Sequence, residues 1–304
     1  MNKILVVGSS NIDRIAQVDH LPKPGETVGN AKYMQTYGGK GANQAVAAAR
    51  LGGDVTFITS LGNDLYATFI NQFSRDGIHT DHIIISKDKP TGTALILVAD
   101  NAENCIAVSP GANEDLYVEH IAGIEKIIGK AQVVIMQAEI PYETITKVAL
   151  MAHKQGVKVL LNPAPACVVS EELIKVVDYL VVNEIESEMI SGLQFKNNSI
   201  DEISDRLLKL GAKCVIITLG KKGAYCKSSS GSFRVDGFKV DAIDTTAAGD
   251  TFCSALAIAA NREEINPGNL KFACAAAALA VTKMGAQPSM PHLEDVMNFI
   301  KEHE

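Results

Sequence analysis

Short apolar runs, each rich in Val, Ile and Leu and closed by a Gly, Asn or other small residue, punctuate the chain. They fall at KILVVGS (3–9), VTFITSL (55–61), AQVVIMQA (131–138), VKVLLN (157–162), DYLVVN (178–183) and CVIITLG (214–220). A run that is apolar throughout, without polar alternation, predicts a parallel strand covered on both faces. Between these runs the period lengthens to that of a helix. GANQAVAAARLG follows Gly39, YATFINQFSRDG follows Leu65 and PYETITKVALMAHKQG follows Ile140; EIESEMISG, SIDEISDRLLKLG and three closing helices over 249–304 come next. Strand–helix alternation at this spacing predicts one α/β domain over 1–304, with a parallel-type central sheet flanked by helices. Ligands of such sheets bind beyond the carboxyl ends of the strands.

Two segments break the rhythm. Residues 13–37 alternate polar and apolar positions around an LPKPGE turn, and residues 91–109 form two strand-like runs about a polar DNAEN turn. Both patterns predict strands, the second a hairpin. Together they suggest a small antiparallel sheet attached to the main domain, with edge strands of the main sheet as the alternative.

Composition narrows the class. The chain has 304 residues, 47% of them hydrophobic and 21% charged, and this is an ordinary globular balance. A net charge of −7 without a block of basic residues argues against a nucleic-acid partner. The longest apolar runs, such as FACAAAALAV (272–281), fall short of the roughly 18 residues of a membrane span. MNKILVVGSSNID reads as a first strand and its loop, not as a signal peptide. Six cysteines lie far apart without a C-x-x-C pair, which suits buried thiols in a reducing cytoplasm.

Candidate chemistry concentrates in a few stretches. In DTTAAGDTF (244–252) two acids bracket small residues just before an apolar helix. The small side chains of Ala247, Ala248 and Gly249 let a ligand approach the backbone, and the unpaired amides of a first helical turn attract anions. Asp250 stands among those donors, so the stretch reads equally as a phosphoryl-transfer site with a base in it or as a plain helix start. GGKGAN (38–43) matches neither the Walker A pattern nor the dinucleotide G-x-G-x-x-G, though Lys40 and Asn43 suit a hydroxylated ligand. A glycine turn is the simpler reading there. NEIE (183–186) fits a capping box of Asn183 and Glu186, or a phosphate and magnesium neighbourhood. Thr218, Gly220 and Gly223 either line a nucleotide or form a hairpin turn. Glu139, at the end of a buried strand, belongs in a site or at the solvent edge. No pair of histidines has metal-ligand spacing.

Together, GGKGANQAVAAARLG and DTTAAGDTFCSALA resemble the two signatures of the ribokinase-like carbohydrate kinase family, in the family's order and spacing along the whole chain. PTGTALILV, SPGAN, NPAPA and VTKMGAQPSMP resemble the members that act on ribose. The resemblance implies a ribokinase-like fold with segments 13–37 and 91–109 as a β-sheet lid, and ATP-dependent phosphorylation of D-ribose at its 5-hydroxyl. It implies Asp250 as base and the amides of Ala247, Ala248 and Gly249 as anion hole. Asn11, Asp13, Gly39, Lys40, Asn43, Glu139 and Asp250 match sugar-contacting positions. Asn183, Thr218, Gly220, Gly223 and Gly249 match nucleotide contacts, with Glu186 influencing magnesium. A monovalent cation, potassium, is implied around Asp244, Thr246, Ala280, Lys283, Gly285 and Ser289, and a homodimer through the lid. Kinases for deoxyribose, another sugar or a nucleoside are the near alternatives; Asn11 favours ribose, because an amide can satisfy a 2-hydroxyl. An NAD-dependent oxidoreductase suits the strand pattern alone, but the missing G-x-G-x-x-G and the setting of Asp250 count against it. A non-catalytic sugar-binding protein carries little weight beside an intact Asp250.

Overall fold

The computed structural model describes residues 2–101, 103–260 and 264–303; position 102 of the DNAEN turn, together with 1, 261–263 and 304, lies outside the described residues. In chain order the strands are β1 (Asn2–Val7), β2 (Asn11–Val18), β3 (Lys32–Gly38), β4 (Gly53–Ile58), β5 (Ser60–Gly62), β6 (Ile84–Ser86) and β7 (Gly92–Ala99). They continue with β8 (Asn104–Ser109), β9 (Val133–Gln137), β10 (Lys158–Asn162), β11 (Tyr179–Asn183), β12 (Cys214–Thr218), β13 (Ala224–Ser228) and β14 (Gly231–Val235). The α-helices are α1 (Lys40–Arg50), α2 (Tyr66–Arg75), α3 (Ile124–Ile128), α4 (Tyr142–Lys154) and α5 (Glu171–Ile174). After them come α6 (Glu184–Ser191), α7 (Ile200–Leu210), α8 (Ala248–Ala260), α9 (Pro267–Ala280) and α10 (Leu293–Glu302).

The main sheet runs β14-β13-β12-β11-β10-β9-β1-β4. From β4 to β12 every pairing is parallel; β13 and β14 add an antiparallel edge that the apolar runs did not announce. Alternate residues of one strand feed two separate cores. Ile4 and Val6 pack with α1, α8 and α9, whereas Leu5 and Val7 pack with α4 and α7 on the opposite face. That double burial is why these strands are apolar throughout. Successive strands step away from β1 in opposite directions, to β4 on one side and to β9 on the other, so the sheet switches direction between β1 and β9. The carboxyl end of such a switch opens into a crevice.

The two irregular segments form a sheet of their own, β3-β2-β7-β8, separate from the main one. It is mixed, not antiparallel: the outer pairs are antiparallel, but β2 and β7 run parallel along Asn11–Val18 and Gly92–Ala99. The cause is the connection. β2 and β7 are joined through β3, α1 and the β4–β6 region, a crossover long enough to bring two strands together in the same direction. Register places Met34, Ile15, Ile96 and Ile106 in one row across all four strands. Asp13, two residues before Ile15, lies on the same face of the sheet. Met34 and Ile106 remain about half exposed on that face, at 48% and 54%.

Candidate active site

Asp250 lies in the first turn of α8 and is 5% exposed. A buried carboxylate needs donors, and α1 supplies them. Asn43 Nδ2 donates to Asp250 Oδ2 at 3.0 Å and Gln44 Nε2 to Oδ1 at 3.0 Å. Gln44 is itself oriented, since its Oε1 accepts from Gln137 Nε2 at 2.6 Å while its Nε2 also reaches Asn162 Oδ1 at 3.3 Å. Ser254 Oγ ties the Asp250 and Gln44 carbonyls together, at 2.9 and 2.8 Å. The carboxylate is therefore fixed by two helices and the ends of two strands.

The backbone ahead of it is strained. Ala247 has φ of 60°, a left-handed conformation that costs a residue with a Cβ about 1–2 kcal/mol. Among the described residues the N–H groups of Ala247, Gly249 and Asp250 find no acceptor. The Ala248 N–H turns to Thr245 O at 3.3 Å, so three free donors at this turn are those of 247, 249 and 250 in place of 247 to 249. Unpaired amides at the head of a helix form an anion site.

Across the crevice, the loops after β1 and β9 meet. Glu139 Oε2 accepts from Ser9 Oγ at 2.5 Å and from the Lys40 N–H at 3.0 Å. Gly39 and Gly41 make the close fit possible: a Cβ on Gly39 would lie 2.7 Å from Asn11 N, and one on Gly41 2.4 Å from Ser9 N. The glycines of this turn are thus needed for backbone approach. The charge of Asp250 above all, and those of Glu139 and Glu186, hold the Lys40 ammonium above its ordinary range despite its burial. Asn43 Oδ1 is buried with no donor, and the Asp13 carboxylate has no hydrogen-bond partner among the described residues. Burial, reinforced by the nearby charge of Glu139, pushes Asp13 up to about 7. Asn11, 4% exposed, lines a cavity of about 530 Å³ together with Asn113 and Glu139.

The carboxyl ends of the remaining parallel strands form a polar row. Gln137 pairs with Asn162 in register, and Asn183 with Thr218. The capping box is present: Asn183 Oδ1 accepts the Glu186 N–H at 2.8 Å, and Glu186 Oε2 accepts the Asn183 N–H at 2.9 Å. It leaves Glu186 buried, where desolvation lifts its carboxyl above the usual range against the pull of Asn183 and Lys40. Gly220 and Gly223, at φ of 55° and 89°, shape the turn from β12 to β13, so the hairpin reading of this stretch also holds.

Beside the head of α8, two loops are stitched together. Asp244 accepts from the Thr246 N–H at 2.9 Å, Thr246 Oγ1 at 2.6 Å and the Gly285 N–H at 2.8 Å. Burial alone would raise the Asp244 carboxyl, but these donors outweigh it and hold it below the carboxylate range. Val281 O accepts from the amides of Ile243 and Asp244, close after Ala280. Ser289 is buried and donates to Ala286 O, whereas Lys283 is exposed. Among the described residues no group of three or more His, Cys, Asp or Glu could hold a metal ion.

Sequence reading missed Gln44, Gln137, Asn162, Ser9 and Asn113. The first stands inside GGKGANQ, and the next two are polar residues closing apolar strands, so each carried a usable signal; Asn113 closes the SPGAN stretch noted above, and Ser9 follows the first apolar run.

The chain matches the model of the pfkB family of carbohydrate kinases over residues 1–293. It is 41% identical to a ribokinase of Haemophilus influenzae, covering 99% of each chain. A deoxyribokinase of Salmonella typhi is 33% identical, again over 99% of both. The solved structure of Arabidopsis thaliana ribokinase complexed with ribose and ATP superposes with a TM-score of 0.91 at 32% identity, over 99% of either chain. A sequence match of this extent, on a fold shared end to end, decides the family: the chain belongs to the pfkB family of carbohydrate kinases.

Proposed function

We propose that the protein transfers the γ-phosphoryl group of ATP to the 5-hydroxyl of D-ribose, giving ribose 5-phosphate and ADP. The observation that carries this reading is the buried Asp250 carboxylate, clamped by Asn43 and Gln44 beside backbone amides that have no partner among the described residues. Asp250 takes the proton of the attacking hydroxyl as its oxygen closes on phosphorus. The amides of Ala247 and Gly249, with that of Asp250, hold the charge that spreads over the moving phosphoryl oxygens; the Ala248 amide joins them if ligand draws it from Thr245. Asp13, Asn11, Lys40, Asn43, Glu139 and the Gly39 backbone surround the sugar, and the open acceptors on Asp13 and Asn43 suit its hydroxyls.

Asn183, Thr218, Gly220 and Gly223 line the nucleotide side. Magnesium bound with ATP neutralises phosphate charge; Glu186, the buried acid nearest that side, and Asn183 would hold its water shell. Potassium would stiffen the anion-hole turn from the pair of loops carrying Asp244, Thr246, Ala280, Lys283, Gly285 and Ser289. Neutral oxygen donors around one carboxylate suit a singly charged ion, and Asp244 already joins those loops. The apolar row through Met34, Ile15, Ile96 and Ile106 supports dimerisation, with the small sheet serving as lid and as contact surface. No helix among the described residues is long and apolar enough to cross a membrane, and unpaired cysteines fit the cytoplasm.

Ribokinases at 37–41% identity, ahead of a deoxyribokinase at 33%, support ribose as the acceptor. The polar Asn11 fits that choice, since a site for deoxyribose gains from an apolar residue there. ADP release across ribose, 2-deoxyribose, other pentoses and nucleosides tests this, each in sodium, potassium, caesium and a bulky organic cation. Ribose with potassium is expected to give the highest kcat/KM; preference for another acceptor overturns the sugar, and equal rates in all four cations overturn the potassium site.

A further inference from the structure

Asn113, 1% exposed and in the SPGAN stretch, has no part in the chemistry above, yet it touches the residue that chooses the sugar. The Ser10 N–H donates to Asn113 Oδ1 at 2.9 Å, and Asn113 Nδ2 donates to Ser10 O at 3.3 Å. A backbone N–H can only donate and a backbone carbonyl only accept, so the Ser10 peptide groups settle which end of the Asn113 amide is which. The same Nδ2 then donates to Asn11 Oδ1 at 2.8 Å. That bond in turn fixes Asn11: its carbonyl faces Asn113, and its Nδ2, which has no partner among the described residues, is left over. A Cβ on Gly92 would sit 2.2 Å from Asn11 Oδ1 and 2.3 Å from Asn113 Nδ2, so the first residue of β7 presses on the pair. The loop itself is pinned to the approach to β7, where Ala112 N donates to Pro90 O at 2.8 Å.

We infer that Asn113 is a positioning residue for sugar selection, locking Asn11 so that it offers an N–H donor, and not a carbonyl, to the group on carbon 2 of the sugar. The inference rests on the ribose reading above. A site built this way rewards any acceptor at carbon 2. It accepts the oxygen of ribose, tolerates a fluorine, which can accept but not donate, and gains nothing from the hydrogen of 2-deoxyribose.

The experiment compares kcat/KM for D-ribose, 2-deoxy-2-fluoro-D-ribose and 2-deoxy-D-ribose in the wild-type enzyme, Asn113→Asp and Asn113→Ala, with the melting temperature of each. The wild type is expected to rank the three in that order. Asn113→Asp keeps the acceptor for Ser10 N–H but presents an oxygen to Asn11, which turns the Asn11 carbonyl toward the sugar. The fluoro sugar should then fall below the deoxy sugar, with ribose itself changing least, because its hydroxyl can donate to a carbonyl as well as accept from an amide. KM for ATP should stay put, and a simple loss of packing would lower all three sugars alike without exchanging their order. Should Asn113→Asp fail to fold, Asn113→Ala serves: a freed Asn11 should bring the fluoro and deoxy sugars toward equal efficiency. A wild-type enzyme active on ribose whose fluoro-to-deoxy ratio is unchanged in whichever variant folds overturns this inference alone. A wild-type enzyme inert toward ribose overturns the ribose reading and this inference with it.

Discussion

Two aspartates, one on helix α8 of the main body and one on the small sheet, are treated in opposite ways by this fold. Asp250 belongs to the main body, where both carboxylate oxygens are already satisfied by Asn43 and Gln44, and Gln44 by Gln137. Asp13 belongs to the small mixed sheet, is partly buried and has no hydrogen-bond partner among the described residues; burial and the charge of Glu139 push its carboxyl up to about 7. The first is complete before any ligand arrives, as preorganised chemistry requires. On the proposed reading, the second is completed by the sugar. The difference suggests that the body carries the reaction and the small sheet carries recognition.

The largest expected effect breaks the body. Asp250→Asn nearly keeps the side-chain volume but cannot accept a proton and gives up one of the two clamp hydrogen bonds, so kcat should fall by at least about 10²–10⁴-fold, the range for a lost general base. ATP binding should change little in calorimetry, because Asn183 and the turn after Thr218 lie on other strands. Near-normal turnover in this variant would mean that the base lies elsewhere.

A smaller and different effect is expected from the small sheet. Asp13→Ala removes one charged acceptor for sugar hydroxyls, so KM for ribose should rise by about 10–100-fold, as for a hydrogen bond to a charged group. The kcat at saturating ribose should hold within a few-fold. If Asp13→Ala instead lowered kcat as Asp250→Asn does, the division between the two sheets would be lost.

The smallest effect concerns assembly. Ile106→Glu places a charge in the apolar row with Met34, Ile15 and Ile96, and should shift sedimentation from dimer toward monomer at micromolar concentration while the melting temperature of the protomer hardly moves. A wild-type protein that sediments as a monomer with ribose present would remove the dimer contact.

The contrast between the sheets also explains what could be read from the chain. The main sheet was legible because its strands are buried on both faces, and the apolar runs at 3–9, 131–138 and 178–183 record that burial directly. The short antiparallel β13 and β14 carry Lys227, Ser228 and Arg234 on a partly exposed edge, and no such run marks them. Segments 13–37 and 91–109 announced strands, but not that β2 and β7 run parallel, since pairing direction depends on a connection that local alternation does not encode. Asp250 and Asn43 were legible from motifs. The support beneath them was not, because Gln44, Gln137 and Asn162 come from three distant stretches and become one network only when β9, β10 and α1 pack.

The most direct test of the division is ribose affinity against pH, measured by titration calorimetry from pH 5.5 to 8.5 in the wild type and in Asp13→Asn. A carboxyl raised to about 7 favours the protonated form in the free fold, so its contribution to stability is present below its unfolded value of 3.8 and lost as pH climbs through 7. Sugar hydroxyls that donate to the ionised form reverse that preference. Wild-type affinity should therefore strengthen with rising pH, by at most about tenfold per unit below 7, and level off above it. Asp13→Asn should bind more weakly and show no such rise. The same pH dependence in both proteins, or a wild type whose affinity does not change across pH 7, would contradict the assignment of Asp13 as the carboxylate that the sugar completes.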